Sequence, residues 1–70
     1  MTVKQLIRMD TSVNSSSIIT VIRIDECGEE INRHYVLAGD IIKGNLKPDI
    51  SKYKVDTFRH YGSLEIFSRG

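Results

Sequence analysis

The stretch from Ser17 to Ala38, SIITVIRIDECGEEINRHYVLA, constrains this chain more than any other part of it. Residues 18–25 are dominated by β-branched side chains, and neither Pro nor Gly interrupts them. Cys27-Gly28 then falls between charged pairs, and Gly28 can supply the positive φ of a tight hairpin turn. A two-residue turn there sets Ile24 opposite Ile31, Ile22 opposite Arg33, Thr20 opposite Tyr35 and Ile18 opposite Leu37. Strand side chains alternate with period two, so Ile18, Ile22, Ile24, Ile31, Tyr35 and Leu37 make the expected core face.

The other face is only half polar. It carries Ile19, Val21 and Val36 among Arg23, Asn32 and His34. A sheet with one wet side is ordinarily polar there, so either a helix of this chain or another chain is expected to cover it.

Seventy residues make one small domain, 1–70, near the lower limit for a self-sufficient core. The usual supplements are disulfides, a metal or oligomerisation. A single cysteine allows neither an internal disulfide nor a zinc set, which leaves oligomerisation. The net charge of +1 gives no global field for nucleic acid or a membrane. It is unevenly spread: three bases against five acids in residues 1–30, seven against four in 31–70. No apolar run approaches a membrane span and no signal-peptide core is present, so a cytoplasmic protein with no membrane partner is expected.

In chain order, Thr2 to Gln5 has capping-box spacing, and Val3, Leu6 and Ile7 fall on one helical face. The competing reading is a strand with Val3, Gln5, Ile7 and Met9 on one side. Residues 10–16 have loop composition. Asp40 is an expected N-cap for a short helix with Ile41, Ile42 and Leu46 inward, stopped at Gly44 or Asn45. Pro48-Asp49 opens a turn into a second hairpin, Tyr53 to Arg59 and Ser63 to Ser68 around Tyr61-Gly62. Its register sets Arg59 opposite Leu64, Phe58 opposite Glu65 and Thr57 opposite Ile66. The expected fold class is α+β: a four-stranded antiparallel sheet from two β-hairpins with one or two short helices.

Chemistry-bearing candidates are few. Cys27 lies among Asp25, Glu26, Glu29 and Glu30, which suppress its thiolate. The same acidic run lacks the spacing of a calcium loop, so no metal is expected. His34 and His60 cannot both join a carboxylate and a nucleophile, so no catalytic residue, cofactor or enzymatic activity is expected. The densest mixture of base and aromatic runs from Lys52 to Tyr61. Within it Lys54, Arg59, His60 and Tyr61, with Arg33 and His34 from the first hairpin, are candidate ligand or partner contacts. Bases hold phosphate and aromatics stack on bases, which makes nucleotide or nucleic acid the alternative ligand. The principal anomaly is the second sheet face. Ile19, Val21, Val36, Phe58 and Phe67 together form a patch of several hundred Å², about the size that marks an interaction site unless a helix folds over it.

The succession VKQLI, SIITVIRIDECGEE, YVLAGDII and KYKVDTFRHYGSLEIF resembles a pattern among small accessory proteins of phages and prophages of Gram-positive bacteria. In that pattern a short helix precedes a Gly-turn hairpin, a Gly-Asp helix start and a final hairpin. The resemblance implies proteins that modify host processes, some by binding and blocking antiviral defence. The expectation is therefore a self-associating, non-enzymatic binding protein directed at a host protein, with a structural phage component as a further alternative.

Overall fold

The computed structural model describes residues 1–69. The elements are α1 (Val3–Met9), β1 (Ile18–Ile24), β2 (Glu30–Leu37), α2 (Ala38–Lys43), a 3₁₀ turn at Ile50–Lys52, β3 (Thr57–Tyr61) and β4 (Ser63–Arg69). The capping box forms. The Gln5 amide donates to Thr2 Oγ1 at 3.3 Å and the Thr2 amide donates to Gln5 Oε1 at 2.8 Å, so the start of the chain is a helix with Val3, Leu6 and Ile7 buried.

The first hairpin keeps its expected pairing from Ile18↔Leu37 to Ile22↔Arg33. Its tip differs. Gly28, at φ 86, donates its amide to the Asp25 carbonyl at 3.0 Å, and the Asp25 amide donates to the Glu29 carbonyl at 2.9 Å. The loop is thus longer than two residues, and Ile24 pairs with Glu30 instead of Ile31 across an irregularity after Arg23.

Two later boundaries are corrected as well. Helix α2 starts at Ala38 straight after β2, with Asp40 in its first turn, where a carboxylate suits the helix dipole, and not as its N-cap. Gly44, at φ 71, ends it. The segment assigned to the start of the second hairpin is drawn away: the Val3 amide donates to the Tyr53 carbonyl and the Val55 amide to the Met1 carbonyl. With that backbone spent on the N-terminus, β3 begins only at Thr57. Its register is one residue from the expected one, pairing Arg59 with Glu65 and Phe58 with Ile66.

The sheet order is β2-β1-β4-β3. The two hairpins meet through β1 and β4, which run parallel, with Ile19↔Leu64, Val21↔Ile66 and Arg23↔Ser68 side by side. The sheet is therefore mixed, not purely antiparallel. This register decides which face is dry. It aligns Leu64 and Ile66 with Ile19 and Val21, and that combined face receives α1, α2 and the 3₁₀ turn. Val3, Leu6, Ile7, Ala38, Ile41 and Ile50 close over it. Ile19, Val21, Ile41 and Ile66 are all 0% exposed. The expected faces are thus exchanged. Ile18, Ile22, Ile24, Ile31, Tyr35 and Leu37 lie on the side with no helices.

Candidate interaction surface

The helix-free face can be read row by row from the strand register. At one end Leu37 faces Ile18, and Tyr61 faces Ser63. The next row is Tyr35, Thr20, Glu65 and Arg59, followed by Arg33, Ile22, Phe67 and Thr57. Thr20, Ile22 and Ile24 are buried although none of the described helices covers them; their register neighbours include Tyr35 and Arg33 on β2 and Glu65, Phe67 and Arg69 on β4. The outer residues stay open: Ile18 is 50% exposed, Ile31 58%, Tyr35 64%, Leu37 39% and Tyr61 74%. Exposed apolar and aromatic side chains therefore stand towards both edges, Ile31, Tyr35 and Leu37 on β2 with Ile18 beside them and Tyr61 on β3, with the Arg59–Glu65 pair between.

Every arginine on this face is paired within the chain. Arg33 donates to both carboxylate oxygens of Glu30 and, through Nη1, to the Tyr35 hydroxyl at 3.2 Å. Those hydrogen bonds hold the Glu30 carboxyl below its ordinary range and push the guanidinium higher still. Arg59 meets Glu65 at 2.6 Å, and its Cζ lies 5.3 Å from the Phe67 ring centre and 5.4 Å from that of Tyr61. Arg69 meets Asp56 at 3.3 Å and donates to the carbonyls of Asp25 and Glu26. The face is thus apolar with its charges internally neutralised.

The five residues expected to form one docking patch are dispersed. Ile19 and Val21 are in the core, and Val36 is half-buried against it. Phe58, 45% exposed, sits at the β3 edge on the helix side, whereas Phe67 lies on the helix-free side. The candidate ligand contacts also divide. Arg33, Arg59 and Tyr61 are on the helix-free face, with both guanidinium groups engaged by carboxylates. His34 and His60 are on the helix side by register, paired with Val21 and Leu64. Lys54 is exposed beside the N-terminus, bridged to Thr2.

One polar cluster had no counterpart in the sequence reading. His60 Nε2 is 2.7 Å from Asp10 Oδ2, and Ser12 donates through Oγ to Asp10 Oδ1 at 2.6 Å. The hydrogen bonds from Ser12, and next that of His60, keep the Asp10 carboxyl below its ordinary value. Ser12 is bonded to the acid and not to the imidazole, so the order is not that of a Ser-His-Asp relay. A cavity of about 360 Å³ lies alongside, walled by Ser12, Val13, Ser17, Ile19, His60 and Leu64. Fifty residues separate Asp10 from His60, and without the β1–β4 register nothing in the sequence links them.

Among the described residues no group of His, Cys, Asp and Glu is placed to hold a metal ion, and no helix is long and apolar enough to cross a membrane. No family model, curated protein or solved structure matches this chain.

Proposed function

We propose that this chain is a non-enzymatic binding protein that pairs with a second copy of itself through the helix-free sheet face. The observation that carries the reading is the set of Ile18, Leu37, Tyr35, Ile31 and Tyr61, exposed on a face that no helix among the described residues covers. From those exposures the set amounts to about 600 Å², short of the ~800 Å² per partner of a standard interface but large for a monomer. The accessible parts of Phe67 and Arg59 beside it bring it towards that size.

A second copy suits this face because of its charges. Two such faces laid together about a twofold axis bring no unpaired like charges into contact, since Arg33, Arg59 and Arg69 already have carboxylate partners. The same neutrality makes the face a poor phosphate collector, because a nucleic acid would have to compete with Glu30 and Glu65 for the guanidinium groups. The resemblance to small phage proteins supplies the biological setting, in which the protein binds and blocks a host protein in the cytoplasm.

Sedimentation of the pure protein tests the pairing. A mass rising from 8.0 kDa towards twice that value with concentration supports it. A single 8.0 kDa species up to about 1 mM sinks it, since an interface of this size is expected to hold in the micromolar range or better. Host-protein blocking has a separate test. A partner captured by the wild type must be lost on Tyr35→Glu and kept on Met9→Glu, which lies on the opposite layer.

A further inference from the structure

We propose that Arg23 anchors a binding site for a small oxyanion, best matched by a phosphate group, on the helix side of the sheet beside Tyr53 at the end of the 3₁₀ turn. Arg33, Arg59 and Arg69 each have a carboxylate within hydrogen-bonding reach or close to it. Arg8 has none but stands in solvent. Arg23 is different: it is half-buried, has no carboxylate partner among the described residues, and stacks with its Cζ 4.3 Å from the Tyr53 ring centre. Its Nε is sealed from solvent with no hydrogen-bond partner.

A guanidinium cannot shed its proton to escape this position. Partial burial of a charge and an orphaned N–H is costly unless something offsets it, and ring stacking offsets only part. Stacking occupies the face of the guanidinium and Nε is closed off, which leaves the Nη edge, with its two parallel donors, for a ligand. The surroundings point the same way. By register Arg23 lies between Asn32 on β2 and Ser68 on β4, and His34 is the next residue of β2 on that face. All four side chains can donate hydrogen bonds. Lys52 and Lys54 flank Tyr53 in the chain and are both exposed. The strand acids Glu30 and Glu65 are paired across from Ile24 and Thr20, on the opposite face, so no strand carboxylate shares the face with Arg23. By register Asn32 and His34 on β2 share the face with Arg23 on β1, and donors from two strands suit a tetrahedral anion better than a planar one. The site is independent of the helix-free face and of any pairing through it.

The test is an amide and arginine-side-chain NMR titration of the full chain with inorganic phosphate at constant ionic strength, with acetate as a parallel arm. Wild-type protein is expected to show saturable shifts of the Arg23 guanidinium resonances, carried by its outer nitrogens, and of the Asn32, His34 and Ser68 amides at millimolar phosphate. Arg23→Met should abolish them. Arg23→Lys keeps the charge and removes the planar fork, and should weaken binding about tenfold, which keeps the test decisive if the methionine variant does not fold. Weaker shifts with acetate identify phosphate as the source, and stronger ones identify a carboxylate at the same oxyanion site. Absence of saturable shifts up to about 50 mM of either anion, or shifts unchanged in Arg23→Lys, overturns the assignment.

Discussion

Replacing Tyr35 by Glu is the sharpest probe of the helix-free face. The side chain is 64% exposed in the free chain and makes one hydrogen bond within it, accepting from Arg33 Nη1. The substitution therefore leaves the fold nearly untouched, and the new carboxylate would be solvated beside the Arg33 guanidinium. In a twofold pair the consequences differ. A tyrosine buries roughly 150–250 Å², so closing over the exposed two-thirds removes ~130 Å² per copy. At about 25 cal/mol per Å² that is ~3 kcal/mol, reduced to ~2 kcal/mol after the cost of ordering the interface. Both copies carry the change, giving ~4 kcal/mol, or about a thousandfold in dissociation constant. Sedimentation velocity from about 1 µM to 100 µM then shows wild type gaining mass above 8.0 kDa while Tyr35→Glu stays near it. Met9→Glu, a change at a 67% exposed position in α1, serves as the control and should behave as wild type. Superimposable isotherms for wild type and Tyr35→Glu would refute the reasoning.

The remaining predictions concern the fold. Ile41→Ala removes a side chain that is 0% exposed at the centre of the helical layer, and should cost about 3 kcal/mol in urea unfolding, most of the stability of so small a domain. Gly39→Ala would put a Cβ 3.0 Å from the Ser15 carbonyl oxygen, the same atom that accepts from the Gly39 amide. The loop cannot retreat without losing that bond, so a loss of about 1–2 kcal/mol in thermal unfolding is expected. Asp10, Glu30 and Asp49 all have carboxyls lowered in the folded state. The unfolded chain then binds more protons in acid, so their contribution is complete above the ordinary values of 3.8 and 4.5 and fades as the pH falls through the lower folded ones. The urea midpoint should fall below about pH 4, with a shallower slope in Asp10→Asn; a midpoint that rises on acidification contradicts this.

Local signals in the sequence were reliable where the chain's own neighbours decide the outcome. The capping box at Thr2 and Gln5 specifies α1, and Gly44 ends α2, because each is a contact within one turn of helix. The first hairpin keeps its pairing from Ile18 to Ile22 because β-branched strands close on a short acidic loop. Legibility fails at the connections. Whether Tyr53 opens a strand depends on Met1 and Val3 claiming that backbone, fifty residues away in sequence. The pairing of Asp10 with His60 is equally remote.

The exchange of faces has the same origin, and it explains why the candidate surface lies where it does. In β4 the pattern is plain: Leu64 and Ile66 on one side, Glu65 and Arg69 on the other. In the first hairpin it is not, since Ile18, Ile22 and Ile24 rival Ile19 and Val21, while Arg23 and His34 make the second set look wet. Only the parallel register of β1 on β4 breaks the tie, by setting Ile19 and Val21 beside Leu64 and Ile66. The helical layer packs on Ile19 and Val21, and Tyr53, the residue that caps the 3₁₀ turn, stacks on Arg23. The losing face is nearly as apolar as the winning one. Its centre at Thr20, Ile22 and Ile24 is buried, but its ends at Ile18, Leu37, Tyr35 and Tyr61 are not. A hairpin with two apolar faces, only one of them packed under the described helices, leaves part of the second face open, and that open part with its neutralised charges is the ground for the proposed pairing of two copies.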